Sequence, residues 1–301
     1  MAFDETRSFP TSPTPAHRGF ANWLKTGVLL AAMTALIMVV GYLIGGSNGL
    51  LFAGVFALLS NFVSFWFSDR IALAVYRAQP IEREQAPWLY EMVERLTRRA
   101  GIPMPKLYII PSPNPNAFAT GRNPANAAVA VTDGIMRILD REELEGVIAH
   151  ELAHVRNRDT LISTIAATIA GAISGLAYML QWSMIFSGGR DRDEGAGGLI
   201  GMLALIILAP LSATVLQLAL SRSREYGADE TGARICGKPY ALASALEKLE
   251  RGSQAIPDDR HPATAPLFIV NPLSGKSLSR LFTTHPPTEE RVKRLRAMRS
   301  Y

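Results

Sequence analysis

The stretch "VIAHELAHVRNRDTLISTIAATIAGAISGLAYMLQWSMIFSGG", residues 147–189, joins two signals that usually occur apart. "HELAH" (150–154) places two histidines four residues apart, so on a helix both imidazoles lie on one face and can bind one metal ion. From Thr160 to Gly189 the chain has no Asp, Glu, Lys, Arg or His, and this run is long enough to cross a bilayer. The stretch therefore predicts a metal site at the end of a membrane segment.

The composition also indicates a membrane protein. Of 301 residues, 48% are hydrophobic and 19% are charged, whereas about 25% is usual for charged residues in soluble domains. Two more blocks, 26–68 and 195–221, lack charged residues and histidine. The net charge of +5 comes from Lys and Arg that flank the apolar blocks, which predicts a lipid bilayer as partner and no nucleic acid. The single cysteine, Cys236, excludes an intrachain disulfide framework.

Four membrane spans are predicted as two helical hairpins, over 26–68 and 160–220. The Gly-rich cluster at 45–49 is a turn signal that divides the first block in two. A re-entrant or protein-lined hairpin remains an alternative for the second pair, because its residues are small throughout. The predicted spans are 27–45, 50–68, 160–189 and 197–219.

The distribution of Lys and Arg predicts the orientation. Basic residues precede the first span, fill the 69–159 segment and begin the 221–301 segment, whereas 45–49 has no charge and 188–198 has two arginines against three acids. The positive-inside rule then places both termini and both protease segments, 69–159 and 221–301, in the cytoplasm. Residues 1–25, rich in Pro, Ser and Thr, are predicted to form a disordered cytoplasmic tail.

The charged segments carry patterns of helices and two short strands. Asp140 followed by Glu143 predicts a capping box at the start of the helix that bears "HELAH". Weak patterning predicts a loop over 252–282. Helices are predicted over 86–100 and near 222–236, 239–251 and 288–299, and strands over 106–110 and 127–134.

The chemistry of the motif is that of a hydrolytic zinc site. His150 and His154 would bind the ion, while Glu151 points off the ligand direction and can hold a water beside it. A catalytic zinc needs a third protein ligand and one open position. Glu225 and Asp229 in "SRSREYGADETGA" (221–233) both qualify, and the residues alone do not choose between them.

Four motifs carry a specific resemblance: "HELAH", "SRSREYGAD", "NAFATG" (116–121) and "LFTTHPPTEERVKRL" (281–295). They resemble those of HtpX-type heat-shock membrane metalloproteases, which are relatives of the CAAX prenyl endopeptidases in the gluzincin group. The likeness covers nearly the whole chain after the tail. It implies a mainly α integral membrane protein of the bacterial inner membrane. Four transmembrane helices would accompany a cytoplasmic gluzincin-like zinc metalloprotease domain with a small β-sheet.

The resemblance also assigns site residues. It implies one Zn²⁺ per chain, with Glu225 as third ligand and Glu151 as general base. Asp229 would accept a hydrogen bond from a ligand imidazole, expected to be that of His150. His285 is a candidate for stabilising the oxyanion, with Arg291 orienting it, although a helix-start histidine without a role is an alternative.

"PNPNAFATGRNPANAAVAV" (113–131) is expected to contain an edge strand near the cleft, and in related proteases such a strand pairs with an extended peptide substrate. Asn116 is a candidate for holding that substrate, with an ordinary turn-forming asparagine as the alternative.

These features predict a membrane zinc endopeptidase that hydrolyses misfolded or damaged membrane proteins under stress. One alternative is a membrane zinc hydrolase with a narrow substrate, such as a prenylated peptide or one regulatory protein. Another is a non-catalytic scaffold with a structural zinc. It is disfavoured because Glu151 is present and only three ligands are evident.

Overall fold

The structure is a computed structural model that describes residues 15–170, 222–259, 264–273 and 286–298. Within those ranges the helices are α1 (Pro15–Val75), α2 (Pro87–Ala100), α3 (Asp133–Ile138), α4 (Arg141–Asn157), α5 (Asp159–Ala170), α6 (Arg222–Cys236), α7 (Pro239–Ala255) and α8 (Thr288–Arg296). The strands are β1 (Gln79–Pro80), β2 (Lys106–Ile110), β3 (Ala117–Thr120) and β4 (Ala128–Thr132).

Helix α1 reverses direction at Gly46, inside the predicted Gly-rich turn. Gly46 has φ +57°, a left-handed conformation that glycine adopts without a steric penalty. Asn61 donates from Nδ2 to Thr34 Oγ1 at 2.7 Å. In a straight helix these residues would lie about 40 Å apart. The two arms of α1 are therefore antiparallel neighbours, and this polar pair joins them.

The second arm of α1 has the dimensions of a membrane span. Among the described residues, Gly46–Val75 is the one helix long and apolar enough to cross a bilayer, with a mean hydropathy of 1.9. Residues 27–45 are also helical. Most of the predicted second hairpin, from residue 171 to 220, lies outside the described residues, so four spans stay a prediction.

Helix α1 also begins earlier than predicted. Residues 15–25 are helical, although they were assigned to the disordered tail, and residues 1–14 of that tail lie outside the described part. Pro15 suits the first turn of a helix because its missing N–H would be unpaired there. Once an apolar segment is helical, adding a residue costs little, so the helix extends towards the N-terminus.

The four strands form one mixed sheet in the order β1-β2-β4-β3. Strands β2 and β4 are parallel, whereas β3 pairs antiparallel with β4 and lies at the edge. The predicted strand over 127–134 ends at Thr132, because the Thr132 hydroxyl accepts from Ile135 N at 3.1 Å and caps α3. The small sheet and the edge strand agree with the prediction.

Alternate side chains of the sheet enter two cores. Val129 and Val131 face the core formed with α2, α4, α6 and α7. Phe118 and Ala130 face a second core, shared with the end of α1 and with α5. Helix α2 matches its prediction, since Pro87 is its first residue and Gly101 caps its end in the left-handed conformation. The sheet thus lies between the membrane-proximal helices and the helices of the metal site.

Candidate metal centre

Helix α4 presents the histidines because its ends and its buried face fix its position. The predicted capping box is present: Asp140 Oδ1 accepts from Glu143 N at 2.9 Å, and Glu143 Oε2 accepts from Asp140 N at 3.0 Å. Its apolar face is fully buried in the first core and comprises Leu144, Val147, Ile148, Leu152 and Val155. With one face anchored in this way, His150 and His154 face α6.

Helix α6 approaches α4 closely because a glycine lies at the contact. A Cβ at Gly232 would lie 2.8 Å from the Cα and backbone nitrogen of His150. Glu225, Asp229 and Gly232 are spaced four and three residues apart, so they share one face of α6. The close approach at Gly232 therefore brings both carboxylates against the histidines of α4.

Three potential ligand atoms meet between the two helices. His154 Nε2 lies 3.2 Å from His150 Nε2 and 3.5 Å from Glu225 Oε1. His150 Nε2 lies 3.8 Å from Glu225 Oε2. A tetrahedral zinc with bonds of about 2.0–2.1 Å has its ligand atoms about 3.3–3.4 Å apart. The spacing of the two imidazoles and the carboxylate thus fits one metal ion.

A second carboxylate faces the far nitrogen of each imidazole. Asp229 Oδ1 lies 2.9 Å from His150 Nδ1, the contact that the sequence analysis expects of Asp229. Asp159 Oδ2 lies 3.2 Å from His154 Nδ1. A proton held at each Nδ1 leaves the Nε2 lone pair free for a metal. Two such lone pairs at 3.2 Å repel one another unless a proton or a cation lies between them.

Arg291 of α8 binds the carboxylate of Asp229. Its Nε and Nη2 donate to the two Asp229 oxygens at 2.8 and 2.7 Å, and its Nη1 donates to the Ile269 carbonyl at 2.8 Å. Arg291 is 1% exposed, so this bidentate pair is desolvated and rigid. Arg291 therefore fixes the carboxylate that in turn orients His150.

The pKa of His154 indicates negative charge between the helices, whereas the pKa values of Glu151 and Asp229 report mainly burial and the charge of Arg291. Burial raises the pKa of Glu151 to about 8, and the charge of Glu225 adds to this shift. Burial alone would lower the pKa of His154, but the negative charge of Glu225 helps to raise it to about 9. At Asp229 burial is outweighed by Arg291, and the pKa falls to about 2. The negative charge that raises the pKa of His154 also favours a bound cation.

Glu151 lies next to the edge strand. It is 2% exposed, and the backbone of Ala119 in β3 stabilises its carboxylate by a hydrogen bond. A cavity of about 30 Å³ lies beside the ligand atoms and is lined also by Ala119, Ser163 and residues 267–269. Glu151 thus lies between the potential metal ligands and the edge of β3, which is the position expected of a general base.

The structure does not bring every predicted residue into this cavity. Asn116 is fully buried, and its side chain donates to Val270 O at 2.7 Å and accepts from Val270 N at 3.3 Å. It joins the 268–270 segment to β3 and does not line the cavity. Arg291 binds Asp229, as described above. His285 lies outside the described residues, so its predicted role stays a prediction.

Two further residues of the site were not anticipated. Asp159 lies five residues after His154, a spacing that points away on a continuous helix. Helix α4 ends at Asn157, and Arg158 adopts φ +59°, which turns Asp159 back onto the imidazole. The role of Gly232 could be predicted from the sequence, since a glycine inside a helix often marks a close packing contact.

Comparison with known proteins agrees with this geometry. Residues 83–299 match the sequence profile of peptidase family M48. The chain belongs to peptidase family M48. It is 55% identical over 281 residues to the protease HtpX homolog of Thermococcus sibiricus, covering 92% of this chain and 96% of that relative.

Two further protease HtpX homologs are as similar, which confirms the resemblance recognised in the motifs. That of Persephonella marina is 57% identical over 279 residues, 91% of this peptidase and 96% of the relative. That of Syntrophobacter fumaroxidans is 57% identical over 278 residues, 91% and 98% of the two chains. The crystal structure of S. mikatae Ste24p is similar over 93% of this chain and 67% of that chain, at 18% identity and a TM-score of 0.48.

Family membership makes the chain a metallopeptidase, and its substrates are proteins or peptides. The prediction of a protease is therefore confirmed. His150, His154 and Glu225 form a group compatible with the metal that such an enzyme requires.

Proposed function

We propose that this M48 peptidase is a zinc-dependent endopeptidase that hydrolyses peptide bonds of misfolded or damaged membrane proteins. The observation that carries the proposal is the convergence of His150, His154 and Glu225, with Glu151 beside them at the edge of β3. Two imidazoles and one carboxylate leave a fourth position open, as in catalytic zinc sites.

The donor set favours zinc over the hard cations. Calcium and magnesium take six or more oxygen ligands, whereas two of the three donors here are nitrogens. His150, His154 and Glu225 would hold one zinc per chain. When bound there, zinc polarises a peptide carbonyl and makes a water acidic enough to attack it.

The residues of the chain then position the substrate and move the proton. An extended peptide would pair with the outer edge of β3 at Ala119, next to Ala117, whose carbonyl already accepts from Ile269 N at 3.1 Å. Glu151 takes a proton from the attacking water at its carboxylate and delivers it to the leaving amine. Asp229 and Asp159 hold protons at the Nδ1 atoms of the two histidines, so that both imidazoles keep their orientation while the charge changes.

Membrane proteins are proposed as substrates because of where α1 joins the domain. Its apolar arm continues directly into Ala72, Leu73 and Tyr76, which pack into the core behind the sheet. The site is thereby held close to the bilayer. We propose a multi-pass protein whose termini and active site are cytoplasmic, as the distribution of basic residues predicts.

The test compares Glu151→Gln with the parent on a membrane protein in its folded form and in a destabilised form. We expect the variant to bind zinc and to cleave about 10²–10⁴ times more slowly, because proton transfer is lost. Glu142→Gln is the matched control, since Glu142 lies on α4 with its side chain 69% exposed. Cleavage at the parental rate by Glu151→Gln would refute the role of Glu151 as general base. Equal cleavage of folded and destabilised substrate would refute the role in quality control.

A further inference from the structure

The exposed apolar surface of α1 ends at Phe67. Large apolar side chains are exposed from Leu51 to Phe67, whereas Ser68 and Ala72 beyond them are buried against the domain. The 22 residues from Gly46 to Phe67 span about 33 Å as a helix, close to the roughly 30 Å hydrocarbon thickness of a bilayer. The headgroup region on the domain side therefore lies around Trp66 and Phe67.

Two arginines lie against the aromatic rings at this level. The guanidinium carbon of Arg122 is 4.5 Å from the centroid of the Trp66 ring, and that of Arg70 is 5.6 Å from the Phe67 ring. Neither arginine forms an ion pair with a residue in the described part of the chain. Trp66 is 42% exposed, and tryptophan favours the interface between lipid and water.

The loop that carries Arg122 is held rigidly at that position. Gly121 has φ +132°, and a Cβ there would lie 2.3 Å from the Asn126 carbonyl oxygen, so only glycine fits. Thr160 Oγ1 donates to Gly121 O at 2.9 Å, which ties the loop to α5. Asn123 Oδ1 accepts from Asn126 N at 3.0 Å and closes the turn. The position of Arg122 is thus set by the fold.

We propose that Trp66, Arg70 and Arg122 form a binding site for the phosphate headgroup of an anionic phospholipid. Planar guanidinium groups donate in a geometry that matches phosphate oxygens, and stacking on a ring keeps those donors directed outwards. The apolar face of α1 immediately below would receive the acyl chains. The inference rests on the membrane placement in the proposed function and adds a specific lipid partner to it.

The site would also connect the bilayer to the peptidase. Gly121 follows directly on β3, the edge strand whose Ala119 faces Glu151. The proposed lipid site therefore lies beside the strand on which the substrate is proposed to lie, and the loop between them is held by the fold itself.

The test uses the full chain in detergent, titrated with phosphatidylglycerol or with phosphatidylcholine of the same acyl chains, and bound lipid is counted by native mass spectrometry. We expect preferential retention of phosphatidylglycerol. Arg122→Gln and Arg70→Gln should each weaken it about fivefold, and the double variant about 25-fold, from the usual attraction of one basic residue to an anionic surface. Arg122→Lys keeps the charge and should lie between the parent and Arg122→Gln.

Arg137→Gln is the control, because Arg137 is exposed on α3 and forms no ion pair with a described residue. Equal retention of phosphatidylglycerol by the parent and Arg122→Gln would overturn the proposed lipid site. An equal loss of phosphatidylglycerol in Arg137→Gln and Arg122→Gln would overturn it as well. Displacement of the lipid by inorganic phosphate at similar concentration would overturn its assignment to a phospholipid. Thermal unfolding establishes that each variant is folded. Peptidase activity on the same preparations separates this result from the proposed function, because a failed lipid site leaves cleavage intact.

Discussion

Asp159 offers a direct test of the metal environment, because its replacement alters one imidazole without removing a ligand. The Asp159 carboxylate lies 3.2 Å from His154 Nδ1, and its side chain is 6% exposed, so water cannot readily replace it. A hydrogen bond to a charged group contributes about 1.5–3 kcal/mol. Loss of a carboxylate behind a ligating histidine typically lowers metal affinity 10–100-fold, which corresponds to about 1.4–2.8 kcal/mol. The two magnitudes agree.

We expect Asp159→Asn to weaken zinc binding about tenfold, since the amide oxygen still accepts from Nδ1, and Asp159→Ala to weaken it about 100-fold. Affinity would be measured by competition with a chromogenic chelator, and the absorption of the cobalt-substituted protein would report a change in ligand geometry. Asp133→Asn is the control, because Asp133 lies in the first turn of α3, outside the metal site. If the folded Asp159→Asn protein bound zinc within twofold of the parent, the carboxylate would have no influence on His154.

Three further predictions concern the parts that hold the site. Arg291→Ala should lower the free energy of unfolding of the metal-free protein by about 3–5 kcal/mol in denaturant titrations, because the buried Asp229 carboxylate loses its cation and keeps only the contact with His150. A loss below 1 kcal/mol would contradict that. Gly232→Ala should lower the free energy of unfolding by about 1–3 kcal/mol and lower zinc occupancy, because the added methyl group overlaps the backbone of His150. Greater stability, as helix propensity alone predicts, would contradict the close packing. Asp140→Ala should cost about 0.5–2 kcal/mol through loss of the cap and leave zinc affinity unchanged, so a parallel loss of affinity would show that the cap and the site are coupled.

Local patterns in the sequence predicted the elements well where neighbouring residues determine the structure. The capping box of Asp140 and Glu143 and the glycine cap at Gly101 are formed by residues within one turn of each other. The strand predicted over 127–134 is three residues shorter in the structure, and its last two predicted residues begin α3, because a threonine that caps a helix also suits a strand. The family motifs led to the correct enzyme class, since His150, Glu151 and His154 need only one helix to be brought together.

Contacts between distant elements were harder to foresee. Arg291 and Asp229 are 62 residues apart, and no local pattern pairs an arginine of the last helix with one particular carboxylate. Asp159 depends on a left-handed Arg158, a conformation that sequence rarely predicts for a residue other than glycine. These positions depend on how α4, α6 and α8 pack, and packing is a property of the whole domain.

The position of Arg291 after the metal ligands in the sequence has a consequence for biosynthesis. A ribosome makes the two histidines and Glu151 about 140 residues before it makes this arginine, and domains form as the chain is extended. Until α8 joins the domain, Asp229 lacks the cation that balances its burial. The residues proposed to bind the metal are therefore synthesised before the arginine that fixes Asp229 behind one of them.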